Sequence, residues 1–239
     1  MVWARPWAHD PTCAYLLITG GHSDSGSVPR PDTVNEWLHT LAMWGYRSVR
    51  TGALGPDLVA TLASAGFTPV QDLLLMSIDL TSHPLPAPSK DAVRGLRSWP
   101  RPRRGMVESL LSVDAASFPP MWALDAPSFD EARRATSRSR LFAALDGPTT
   151  VGFLLAGATG EGGYVQRLAV LPGHRRRGHG ASLLAAAHSW LRGRGCSTAV
   201  VNTETSNTPA IDLYRRLGYA ALPYGLQVLE RPLTTGDHA

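Results

Sequence analysis

Lysine is almost missing from this chain. Lys90 is the only one, and arginine carries nearly all the positive charge. That bias reflects genome composition more than function. Cysteine is scarce too. Cys13 and Cys196 lie far apart and make neither a disulfide framework nor a zinc site between them. Both are expected as buried, reduced thiols. No apolar run approaches the roughly 20 residues that a membrane-spanning helix needs. The start, Met1-Val-Trp-Ala-Arg-Pro6, has no apolar signal core behind it. His174, His179 and His188 lack a metal-ligand spacing, so no metal is expected. These absences point to a soluble, cytoplasmic protein with no membrane partner. The net charge of +4 is mild. A nucleic-acid binder shows a stronger basic patch and a reading motif, and neither is present. The run Arg101-Pro-Arg-Arg104 reads as a solvated loop.

What is present supports a folded core. The 239 residues suffice for one large domain or two small ones, and 44% hydrophobic content is ordinary for a globular chain. The stretch from Thr81 to about Lys90, with Pro84, Pro86 and Pro88, reads as a linker. It divides the chain into residues 1–90 and 91–239.

The second part alternates strands and helices. Leu141–Leu145, Val151–Leu155 and Tyr164–Leu171 read as strands. A Gly-rich basic loop follows. Next comes a helix with Leu183, Leu184, Ala187, Trp190 and Leu191 on one stripe. Thr198–Thr203 is a strand. A short helix opens at Thr208-Pro209 and ends at Gly218. Leu226–Leu229 is a closing strand. Upstream, Ser128-Phe-Asp-Glu131 has capping-box spacing and predicts a helix over Ser128 to Ala135. The first part echoes the second. Leu41-xxx-Gly45-Tyr46 mirrors Leu191-xxx-Gly195-Cys196, and Leu62-xxx-Gly66-Phe67 mirrors Tyr214-xxx-Gly218-Tyr219. Each pair precedes a strand. The echo reads as a weak duplication or as chance likeness of helix-strand units.

Arg175-Arg-Arg-Gly178-His-Gly180 lies between a strand and a helix. The first N–H groups of a helix lack intrahelical partners, and the helix dipole adds partial positive charge. Such a turn suits an anion. A P-loop would need Lys-Ser/Thr after Gly178, where His179-Gly180 stands. A dinucleotide fingerprint would need a glycine at position 183, which is leucine. A phosphate cradle and a bare basic turn remain. Downstream, Ala210, Leu213, Tyr214 and Leu217 share one stripe of the short helix, which places Tyr214 inward. A buried tyrosine wants a hydroxyl partner. Tyr214 is either a core tyrosine bonded to backbone or a functional group.

The ordered set Leu168-Ala-Val170, Arg175-x-x-Gly178-x-Gly180 and Asn207-x-x-Ala210-x-x-Leu213-Tyr214-x-x-x-Gly218-Tyr219 resembles the GNAT superfamily of N-acetyltransferases. The resemblance covers roughly residues 91 to 239. It is nearest in flavour to ribosomal-protein alanine acetyltransferases and mycothiol synthases. The latter pair two such domains, one of them degenerate. The implied fold is α/β (α+β), a mixed sheet with helices on both faces, preceded by a smaller degenerate GNAT-like half. Residues 1–90 have no matching Arg/Gln-x-x-Gly-x-Gly loop; Gly20-Gly-His-Ser-Asp-Ser-Gly26 lacks the arginine spacing.

The resemblance implies acetyl-CoA as co-substrate and a primary amine as acceptor, on a peptide N-terminus or a small molecule. Leu168, Ala169 and Val170 would hold the pantetheine arm and the acetyl oxygen. Arg175, Arg176, Arg177, Gly178, His179, Gly180 and Ala181 would hold the pyrophosphate, with the arginines as mobile charge. Asn207 would bond the pantetheine or nearby backbone, and Tyr214 would protonate the leaving thiolate. The base departs from the family pattern. Asn202 stands where a glutamate is expected, five residues before Asn207. On a continuing strand Glu204 faces the same side and substitutes for it. A solvated strand-end carboxylate, with a water chain as base, is the other reading. A non-catalytic acyl-CoA sensor on the same fold is the rival from another class.

Overall fold

Proline and glycine punctuate the fold. Pro31 and Pro56 occupy the first turns of helices α1 (Pro31–Met43) and α2 (Pro56–Ser64), where a missing N–H costs nothing. Both helices end on a glycine in the left-handed region: Gly45 at φ 86° and Gly66 at φ 84°. The computed structural model describes residues 2–18, 28–82, 93–97 and 104–234, with only the backbone of 93–97 and 104. The Gly20–Gly26 run, Pro84 to Lys90 and Arg101 to Arg103 lie outside the described residues.

The chain forms two compact units. The first comprises residues 1–75, 202–207 and 222–239, and the second residues 76–201 and 208–221. Neither unit is continuous in sequence, and the C-terminal strand belongs to the first. In that unit β1 (Val2–Trp7) pairs antiparallel with β2 (Asp10–Ile18). β2 runs parallel to β3 (Ser48–Thr51). The closing strand β11 (Leu226–Pro232) lies between β3 and β4 (Thr68–Asp79), antiparallel to both. Val34, Leu38 and Leu41 of α1 pack with Leu62, Val49, Leu16 and Leu229 as its core.

In the second unit β5 (Val93–Arg97), β6 (Arg138–Asp146), β7 (Thr149–Thr159) and β8 (Gly162–Val170) form an antiparallel run. β9 (Thr198–Glu204) joins β8 in parallel. The sheet is therefore mixed. Val151 to Ala158 of β7 are buried without a break, the mark of a strand covered on both faces. Phe153 and Leu155 meet Leu110 and Val113 of α3 (Arg104–Ser117) and Phe129 of α4 (Ala126–Arg134). On the other face α5 (His179–Arg192) buries Leu183, Leu184, Ala187 and Leu191. The expected helix over 128–135 starts earlier. Its cap is Asp125, whose carboxylate accepts the Ser128 N–H at 2.8 Å. Ser128 donates there and does not itself cap.

The internal echo has a physical counterpart. The four glycines end their helices with the same six-residue bond: Tyr46 N–H to Leu41 at 3.2 Å, Phe67 to Leu62 at 3.1 Å, Cys196 to Leu191 at 3.1 Å and Tyr219 to Tyr214 at 3.0 Å. Each half also contains one parallel pair, β2 with β3 and β8 with β9. Cys13 and Cys196 are free and buried, and burial pushes both thiols up. No helix among the described residues is long and apolar enough to cross a membrane.

Candidate active site

The site in the second unit begins with an interrupted ladder. β8 pairs with β9 only from Gly162 with Thr198 to Val165 with Val201, although β8 continues to Val170. A bulge in the ladder with β7 falls here too, since Leu155 opposes Arg167 while Ala156 opposes Val165. Beyond it, the Leu171 N–H bonds Val151 O at 2.9 Å. Alternation in an antiparallel ladder then turns Ala169 toward β7 and the N–H and C=O groups of Leu168 and Val170 away from it. The Val170 carbonyl is used on that side by the Arg175 guanidinium, at 3.1 Å. Leu168 and Val170 thus present main-chain donors along an edge that has no strand pairing among the described residues. Gly152 of β7 lets the strands close up behind them, because a Cβ there would lie 2.8 Å from the Ala169 oxygen.

The basic loop follows directly. After a 3-10 turn, Pro172–His174, the chain bends through Arg176 at φ 60° and Gly178 at φ 85°. Arg176 is the one non-glycine residue with positive φ among the described residues. That geometry is unfavourable for an L side chain, and such strain concentrates at functional sites. α5 starts at His179, and its first closing bond runs from Ser182 N–H to Gly178 O at 2.9 Å. The N–H groups of His179, Gly180 and Ala181 therefore have no intrahelical acceptor. Gly180 also admits helix α6 (Thr208–Arg216), since a Cβ there would lie 3.0 Å from Leu213.

The arginines differ in role. Arg175 is docked and not mobile: Nε donates to Val170 O and Nη2 to Ser117 O, each at 3.1 Å. Arg177 lies 3.9 Å from Asp146, which His174 also approaches at 3.5 Å. Arg176 is exposed. His179 is half-buried, and its Nδ1 has no hydrogen-bond partner among the described residues.

Tyr214 on α6 is 4% exposed, as its stripe predicts. Its hydroxyl makes no hydrogen bond among the described residues. Burial pushes its phenol well above the ordinary value and keeps the proton on it. Its ring lies 5.5 Å from that of Tyr219, whose hydroxyl is 2.7 Å from His188 Nε2. The sequence reading left His188 and Tyr219 without a role. It also missed Arg167, which binds Asp114 through Nε and Nη2 at 2.7 and 2.8 Å and the Trp122 carbonyl at 2.7 Å. Phe118 stacks 3.5 Å beneath that guanidinium. Phe118 is thereby packed against the core, while Pro119 to Met121 after it are exposed.

Glu204 and Asn207 belong to the first unit. Ala199, Val201 and Thr203 are buried, so Asn202 and Glu204 share the opposite face of β9. Glu204 Oε1 accepts from Gln71 Nε2 at 2.6 Å. The Asn207 amide donates to the Thr203 hydroxyl at 3.0 Å, which ties the start of α6 back to β9. The first unit also holds a cavity of about 600 Å³. Val59, Leu74 and Tyr224 give it apolar walls, and Asp72, Thr205 and Gln227 give it polar groups. Gln227 donates to one Asp72 oxygen at 2.6 Å.

Comparison with known proteins bears on the family and the fold. Residues 107–219 match the model of the acetyltransferase (GNAT) family. The chain is 31% identical to a mycothiol acetyltransferase of Thermobispora bispora, over 88% of this chain and 73% of that protein. It is 32% identical to a streptothricin acetyltransferase of Streptomyces lavendulae, over 31% of this chain and 40% of that protein, so it spans less than half of that relative. A tandem GNAT protein from the clavulanic acid biosynthesis pathway shares the fold at 14% identity, with a TM-score of 0.66 over 93% of this chain and 76% of that one. An unzipped strand edge leading into a glycine-bent helix N-terminus, together with this kinship, establishes that the chain belongs to the GNAT family of acetyltransferases.

Proposed function

We propose that this protein transfers an acetyl group from acetyl-CoA to a primary amine, on a peptide N-terminus or a small molecule, by direct attack. One observation carries the proposal: the main-chain edge at Leu168 and Val170 runs straight into the open amides of His179, Gly180 and Ala181. The first set suits the amide-bearing pantetheine arm, and the second suits a diphosphate. Arg176 and Arg177 add positive charge, while Arg175 fixes the bend. A main-chain N–H aimed at the developing oxyanion lowers the barrier by about 3 kcal/mol.

The amine nitrogen bonds to the thioester carbon, and the carbon–sulfur bond breaks. Tyr214 gives its proton to the departing sulfur. The surroundings that hold the proton on Tyr214 also make a thiolate a stronger base there. The proton shed by the amine goes to Glu204, whose Oε2 has no hydrogen bond among the described residues, or through water to bulk.

The test is an acceptor screen over N-terminal peptides, polyamines and aminoglycosides, following thiol release from acetyl-CoA. Turnover with one class, lost by about 10²-fold or more in Tyr214→Phe while acetyl-CoA binding persists, supports the proposal. Tight acetyl-CoA binding with no turnover in any class favours the sensor reading, for which Asn202 in place of a carboxylate is the one supporting observation.

A further inference from the structure

His188 occupies a place where an apolar side chain would serve packing. It lies between Leu184 and Leu191 on the buried stripe of α5 and is 1% exposed. Its Nε2 is 2.7 Å from the Tyr219 hydroxyl, with ring centroids 5.5 Å apart. Burial lowers its pKa from 6.5 to about 4, with the Arg192 charge adding to the effect, so the ring is neutral at neutral pH.

Tyr219, 3% exposed, is held at both ends. Its N–H donates to the Tyr214 carbonyl at 3.0 Å, and its hydroxyl meets His188. Between these anchors its ring lies 5.5 Å from the Tyr214 ring at 56°. The two phenols are close enough that charge on Tyr214 discourages ionisation of Tyr219. Because the Tyr214 hydroxyl makes no hydrogen bond among the described residues, packing alone sets where that ring points. Replacing both members of a buried polar pair by apolar groups of the same shape can be nearly neutral for stability. What the polar pair adds is direction.

We infer that His188, acting through Tyr219, is a positioning residue for Tyr214. The imidazole fixes the Tyr219 ring, and that ring aims the Tyr214 hydroxyl at the leaving sulfur. The inference rests on the reading of Tyr214 as proton donor. It concerns alignment, so its loss falls on kcat and not on binding.

Tyr219→Phe keeps the ring and removes only the bond to His188. With an acceptor from the screen, kcat should fall about tenfold, because small misplacement of a reacting group is costly. KM for the amine and Kd for acetyl-CoA should stay unchanged. His188→Leu should do the same, and the double variant should lose no more than either single one, since one bond is shared. His188→Gln, which keeps a partner for the phenol, should recover most of the rate. In a Tyr214→Phe background, Tyr219→Phe should change kcat by less than about twofold, whereas a general structural role would multiply the losses. Wild-type kcat in Tyr219→Phe overturns the inference, as do multiplying losses or weakened acetyl-CoA binding in that variant. If Tyr214→Phe turns over at the wild-type rate, the proton-donor reading itself fails and takes this role with it. If Tyr214→Phe is impaired while Tyr219→Phe is fully active, only the positioning role fails.

Discussion

Arg167 clasps Asp114 with two bonds, Nε to Oδ1 at 2.7 Å and Nη2 to Oδ2 at 2.8 Å, and the same Nη2 reaches the Trp122 carbonyl. Asp114 is fully buried on α3, and its Oδ2 also accepts the Leu124 N–H at 2.7 Å. One ion pair thus ties the strand that carries the unpaired edge to a helix and to the segment after it. Asp114→Ala leaves a mostly buried guanidinium without its carboxylate and should cost about 3 kcal/mol, read by urea denaturation. Arg167→Lys cannot reproduce the planar fork and should also destabilise the fold.

The loop arginines should separate in mutagenesis. Arg175→Ala removes two bonds to main-chain carbonyls and should cost about 1 kcal/mol of stability as well as acetyl-CoA affinity. Arg176→Ala should leave stability unharmed and weaken acetyl-CoA by only a few-fold. The salt dependence of binding should flatten for Arg176→Ala, because an exposed charge is screened. Calorimetric titration at two ionic strengths, with a thermal melt, distinguishes the two variants.

His188 gives stability a pH signature. Its pKa falls from 6.5 in the unfolded chain to about 4 in the fold, so the unfolded state binds more protons between those values. The His188 contribution is fully present above about pH 6.5 and is lost as pH falls toward 4, by about 3 kcal/mol in all. Arg192 adds to the effect, and the phenols of Tyr214 and Tyr219 stay protonated throughout. The measurement is denaturant stability from pH 7 to pH 4, in which His188→Leu should show a shallower decline than wild type.

Features written in local sequence were legible. Glycine at a helix end announces a left-handed residue, and Gly45, Gly66, Gly195 and Gly218 all adopt one. The stripe through Ala210, Tyr214 and Leu217 buried Tyr214 as read. Two local signals misled or went unseen. Ser128-x-x-Glu131 imitates a capping box, but Asp125 captures the Ser128 N–H first. α3 went unseen because it follows a Pro- and Arg-rich run, although Met106, Val107, Leu110, Leu111 and Val113 recur at helical spacing. What lay beyond reach was long-range pairing. Arg167 finds Asp114 across 53 positions, His188 finds Tyr219 across 31, and the last strand inserts between β3 and β4. No periodicity encodes such meetings, because each depends on the assembled sheet.

The open edge of β8 has a last consequence. A peptide strand laid along it would satisfy Leu168 and Val170 as well as a small molecule would. On the proposed function acetyl-CoA is a borrowed strand, read by main chain and not by side chains. Leu168-Ala-Val170 then needs to stay extended more than it needs particular side chains. On the proposed function, bound acetyl-CoA should slow amide exchange at Leu168 and Val170.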